Sequence, residues 1–83
     1  MGLDTVELVL SVEQAFGISI PADAAASIET VGELSRYISS RIENDMPEEI
    51  VFDLLRNILC IQFGVAAERV VFNARIVKDL GLD

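Results

Sequence analysis

Leu3-Asp4-Thr5-Val6-Glu7-Leu8-Val9-Leu10-Ser11-Val12-Glu13-Gln14-Ala15-Phe16-Gly17 reads as one helix with its stop signal attached. Val6, Val9, Leu10, Glu13 and Phe16 recur at helical spacing, and Leu8 and Val12 widen the apolar face. Asp4 reads as the N-cap, with Glu7 three residues on in a variant of the capping box. Gly17 supplies the positive φ that commonly ends a helix. The spacing predicts a helix over 4–16.

Outward from this stretch the pattern stays helical. Ile18-Ser19-Ile20-Pro21 alternates, but it is short and meets a proline, so it reads as an extended connector whose isoleucines pack inward. Ala22 to Ile28 is alanine-rich and predicts one short helix. Thr30 then reads as an N-cap with Glu33 three residues later. The helix from Val31 to about Ile42 carries Leu34, Tyr37, Ile38 and Ile42 on one face. Glu43-Asn44-Asp45-Met46-Pro47 is a break: Asn44 and Asp45 favour turns, and Pro47 suits the first turn of a new helix. From Pro47 to about Phe63 the apolar residues Ile50, Val51, Leu54, Leu55, Ile58, Leu59 and Ile61 cover a wide arc, which predicts a largely buried helix ended by Gly64. Val65 to Asp83 reads as a long ordered loop pinned by apolar plugs, with a short helical turn at 75–80. With no helix–strand alternation and no repeat, the chain reads as a small all-α bundle of three main helices, one short helix and one long loop.

Composition narrows the function. The chain of 83 residues is sized for one domain, 52% hydrophobic, and no apolar run approaches the roughly 18 residues a membrane span needs. The start, Met1-Gly2-Leu3-Asp4, has no basic segment leading into an apolar one and does not read as a signal peptide. Six basic residues stand against fourteen acidic ones, a net charge of −8. That charge repels phosphate backbones, and it attracts basic protein surfaces; it also keeps a small domain soluble. There is no histidine and one cysteine, Cys60, which reads as a small buried hydrophobe. The usual zinc sites and the serine–histidine hydrolase arrangement are therefore excluded. Glycines are isolated, so no phosphate-cradling loop appears, and carboxylates lack the calcium-loop spacing. The expectation is a cytoplasmic, non-enzymatic domain with no metal.

Two segments resemble acyl carrier proteins. Leu3 to Leu10, then Glu13, Phe16-Gly17-Ile18, Ile20-Pro21 and Ile28-Glu29-Thr30-Val31-Gly32-Glu33-Leu34, is similar to that family's second, third and fourth helices. Ile58, Phe63-Gly64-Val65, Val70, Asn73-Ala74 and Asp79-Leu80-Gly81-Leu82-Asp83 resemble its first helix and the loop that approaches the attachment serine. The order of the two segments is exchanged relative to the family. Placing the end before the start gives Asp-Leu-Gly-Leu-Asp, then Met1 and Gly2, then Leu3-Asp4-Thr5-Val6-Glu7, so Gly2 falls in the slot of the carrier serine. On this resemblance the chain is one domain over 1–83. Residues 1–42 would be family helices two to four, 43–47 a new joint, and 48–83 family helix one with its loop. This order reads as an engineered circular permutant cut at the carrier serine; excision from a tandem carrier array would give the same order.

The resemblance implies an acyl-carrier-like four-helix bundle of fatty acid or polyketide biosynthesis. Family members bear acyl chains on 4′-phosphopantetheine, placed on the serine by a phosphopantetheinyl transferase, and acidic residues meet basic patches on acyl-chain synthesis enzymes. Asp83, Leu3 and Asp4 match the positions flanking the serine. Glu7 and Glu13 match acidic partner-facing positions, and Val6 the apolar contact between them. Other roles stand beside these: a capping or solvated residue for Glu7, a solvated one for Glu13, core for Val6. Ser11, Ser19, Ser27, Ser35, Ser39 and Ser40 lie outside an Asp-Ser-Leu context, so the resemblance implies a chain without the prosthetic group. The exchanged halves are expected as a monomer or, if the new joint is too short, as a domain-swapped dimer serving only as a scaffold.

Overall fold

A computed structural model of the chain describes residues 2–43 and 45–83. It is all-α, a small helical bundle. Four α-helices run in the order α1 (Leu3–Phe16), α2 (Ala22–Ser27), α3 (Val31–Arg41) and α4 (Glu48–Phe63). A 3-10 turn at Ala67–Arg69 opens the closing loop, and 75–80 forms hydrogen-bonded turns rather than a helix. The expected turn residue Asn44, like Met1, lies outside the described residues.

Punctuation sets the helix ends. Gly17 and Gly64 stand just past α1 and α4 with φ of 66° and 69°, where a side chain would be strained. Thr30 caps α3: its hydroxyl accepts from the Glu33 N–H at 3.1 Å, and the Glu33 carboxylate accepts from the Thr30 and Glu29 N–H groups. This is the reciprocal capping box. Pro47 proves to be the N-cap of α4 rather than a member of its first turn. At α1 the expected Asp4 cap is wrong. The helix starts one residue earlier, with Gly2 at the cap and no side-chain cap bond. The reason is tertiary: the Asp83 carbonyl accepts the Asp4 N–H at 2.9 Å.

The core is assembled from one row of each long helix. α4 contributes Val51, Leu55 and Leu59, α3 contributes Val31, Leu34 and Ile38, and α1 contributes Leu8 and Val12. α4 packs against both α1 and α3. Ile20 from the connector, and Val70, Ala74, Ile76 and Leu82 from the closing loop, fill the remaining space. Two expectations about faces are corrected. α1 turns Leu8 and Val12 inward, while Val6 and Leu10 remain exposed, because the short α2 offers alanines too small to cover them. α4 is not largely buried: Ile50, Leu54 and Ile61 are exposed, the last at 81%, on the side away from the Val51–Leu55–Leu59 row. Cys60 is partly buried against the core.

The closing loop is tied to the start of α3. The Val31 and Gly32 N–H groups donate to the carbonyls of Ala74 and Phe72, at 2.9 and 2.8 Å, and the Ile76 N–H donates to Glu29 at 2.9 Å. Thr30 and Arg75 thereby form an isolated antiparallel bridge. These bonds satisfy donors that a helix start otherwise leaves without partners. At Gly32 the Phe72 ring lies so close that a β-carbon would overlap it.

Thr30→Ala removes the cap acceptor while leaving the loop bonds in place. It is expected to lower the free energy of unfolding by about 1 kcal/mol, read from the midpoint of a urea transition followed by circular dichroism.

Candidate functional site

The closing loop brings its last residues to the start of α1. Asp79 organises the approach: its carboxylate accepts the Arg75 N–H at 2.8 Å and pairs with the Arg75 guanidinium at 3.3 Å. The Arg69 guanidinium donates to the Asp79 carbonyl. The Arg75 backbone N–H, then its side chain, hold the Asp79 carboxyl below the usual carboxylate range. Gly81 turns the chain with φ 73°, and Leu82 is buried as a plug. Asp83 then delivers its carbonyl to the Asp4 N–H, while the Thr5 hydroxyl donates to the Gly2 carbonyl at 2.8 Å.

Asp83, Gly2, Leu3 and Asp4, distant in sequence, therefore meet at one helix N-terminus. Backbone donors and the helix dipole there favour anions. Gly2 is extended (φ −80°, ψ 175°) and carries no side-chain oxygen. A β-carbon on it would overlap the Asp83 backbone carbonyl. Leu3 is exposed beside this junction.

The expected partner-facing residues divide. Glu7 and Val6 are exposed on α1. Glu13 is half-buried, and its carboxylate accepts the Ile20 N–H at 2.7 Å, fastening the connector to α1. Val6, Leu10 and Glu13 border a groove of about 230 Å³ that Ala22 and Ala25 line from α2. A smaller crevice of about 60 Å³, lined by Thr5, Leu8, Val9, Ala25, Ile28, Leu34 and Ile76, opens between α1, α2 and α3. Its walls are apolar, but it is far below the roughly 300–1,000 Å³ of an ordinary ligand pocket.

Residues 3–38 match the family model described as "Phosphopantetheine attachment site". The match supports a carrier protein domain of the acyl-carrier type. It takes in α1, α2 and α3 as far as Ile38, while α4 and the closing loop lie outside it. No solved structure matches the chain. The group that family bears is 4′-phosphopantetheine. Gly2 has no side-chain oxygen, and the space a side chain would need holds the Asp83 carbonyl. Thr5, the nearest hydroxyl in sequence, is bonded to Gly2. No helix among the described residues is long and apolar enough to cross a membrane.

Sequence reading missed Thr5 and the Arg69–Arg75–Asp79 cluster. The i, i+4 opposite charges of Arg75 and Asp79 were the available signal.

Two measurements follow from this geometry. Glu13→Ala is expected to cost about 1 kcal/mol of stability by leaving the Ile20 N–H without its acceptor, whereas Glu7→Ala leaves the urea midpoint unchanged. Acid titration supplies the other. Asp79 and Glu33 both titrate below the ordinary carboxylate range, Glu33 through the Thr30 and Glu29 N–H groups. Their contribution is complete above that range and is lost as pH falls through it to the lowered folded values. The thermal midpoint is expected to drop on acidification, less steeply in Asp79→Asn.

Proposed function

We propose that this chain is an acyl-carrier-like domain of fatty acid or polyketide biosynthesis with its halves exchanged: a circular permutant opened at the carrier serine, with Gly2 in the serine's slot. The observation that carries the reading is the meeting of Asp83 with Gly2, Leu3 and Asp4. The Asp-Leu-Gly-Leu-Asp run ends on the helix that begins Leu-Asp-Thr-Val-Glu-Leu, through the 2.9 Å bond from Asp4 to Asp83. That is the spatial succession the resemblance assigns to the loop and second helix of a carrier. The exchange of order is what an engineered permutant joined through 43–47 would have. The exchanged halves are read as a monomer or, if the 43–47 joint is too short to turn back, as a domain-swapped dimer.

On this reading the domain keeps the carrier scaffold and lacks the attachment chemistry. It is a binding module, not an enzyme, and it bears no 4′-phosphopantetheine. Glu7 and Val6, together with the groove beside Glu13, supply the face for partners with basic patches, the phosphopantetheinyl transferase and acyl-chain synthesis enzymes among them. Glu13 serves that face indirectly, by holding Ile20 and the connector to α2 in place.

Incubation with coenzyme A and a permissive phosphopantetheinyl transferase, followed by intact-protein mass spectrometry, tests the proposal. No added mass is expected. Addition of one phosphopantetheine would overturn it and restore a working carrier.

A further inference from the structure

A cleft of about 350 Å³ opens between α3, α4 and the closing loop, with no residue of α1 or α2 in its lining. It therefore lies apart from both the α1 junction and the α1–α2 groove. Phe52 and Phe72 provide aromatic walls. Three carboxylates, Glu48, Glu49 and Asp53, line it against a single guanidinium, Arg36. Asp53 is engaged by Arg56 at 3.2 Å. Arg36 lies over the Phe72 ring, 5.1 Å from its centroid, and Arg56 over Phe52 at the same distance. Glu48 and Glu49 enter no ion pair among the described residues. Ser35 is the one buried polar side chain of the described core, and it too lines this cleft.

We propose that this cleft binds an arginine side chain presented by a partner protein. Charge complementarity selects a cation, since three carboxylates line the cleft against one guanidinium and neither Glu48 nor Glu49 is ion-paired among the described residues. The aromatic walls select an organic one, because a flat guanidinium stacks on phenyl faces while its methylene stem covers apolar surface. A metal ion suits the site poorly: among the described residues no three carboxylates or thiols converge closely enough to hold one. The Arg36 and Arg56 stacks demonstrate the same chemistry on these two rings. The cleft is open to solvent, so it admits a side chain standing on a protein surface. Ser35 offers an acceptor oxygen for one guanidinium N–H.

The test is an NMR titration of the intact chain with the peptide acetyl-Gly-Arg-Gly-amide and its citrulline twin, which keeps the shape and loses the charge. Expected are saturable shifts at the Ser35 and Arg36 amides and at the Phe52 and Phe72 ring protons, with the arginine peptide only. The Glu48→Gln/Glu49→Gln double variant should bind roughly fivefold more weakly. A control, Asp23→Asn/Glu68→Gln, removes equal charge at exposed positions elsewhere and should bind as the parent does. Equal responses to the two peptides, or equal weakening in both double variants, would overturn the proposal. Both variants alter exposed side chains, and far-ultraviolet circular dichroism verifies their fold.

Discussion

The backbone clamp between the closing loop and the start of α3 is the contact on which the other parts depend. A helix begins with N–H groups that have no partner of their own, and at α3 two of these are taken by carbonyls of Phe72 and Ala74. The capping box of Thr30 and Glu33 serves the same helix start. The loop thus gains fixed anchors, and the helix start is sealed without exposing polar backbone to the core. Val70, Ala74 and Ile76 enter the core on either side of these anchors. From Ile76 onward the Arg75–Asp79 turn has a fixed base, and this aims Leu82 and Asp83 at α1. The clamp thus sets the base from which the Asp79–Asp83 run, held also by buried Leu82, reaches Gly2.

Gly32 shows how closely the clamp is fitted. Its N–H reaches the Phe72 carbonyl while the Phe72 ring lies against its α-carbon. The ring is then held at the mouth of the α3–α4 cleft, under the Arg36 guanidinium. One residue without a side chain therefore ties a backbone contact to the shape of a surface cleft. On the opposite side, the alanines of α2 leave Val6 and Leu10 open. Ala22 and Ala25 line the groove that results.

The sequence made the helix boundaries legible because they are written in local chemistry. Gly17 and Gly64, Thr30 with Glu33, and the break before Pro47 each act within a few residues of where they stand. The inward faces of α1 and α4 were harder. Both helices are apolar around much of their circumference, so periodicity alone could not choose Leu8 and Val12 over Val6 and Leu10, or discard Ile61. The start of α1 was misread because its partner, Asp83, lies at the far end of the chain. Glu13 carries no local sign that its carboxylate will bind the Ile20 N–H, since that bond depends on how the connector folds back. Main-chain clamps leave little residue signature, which is why the loop read as plugs rather than anchors.

The Asp4–Asp83 bond also bears on the order in which the molecule assembles. The connection from α3 to α4 closes a short loop, whereas joining Asp83 to Asp4 closes nearly the whole chain. Closure entropy grows only slowly, by about 0.6 kcal/mol for each doubling of length, yet it must be met before the contact returns anything. Such long-range pairings form late, after the local helix pairs have set the frame. The helix that begins at Gly2 is therefore complete only when the rest of the domain is. Its first turn thus draws its stability from a residue at the other end of the sequence as well as from its own.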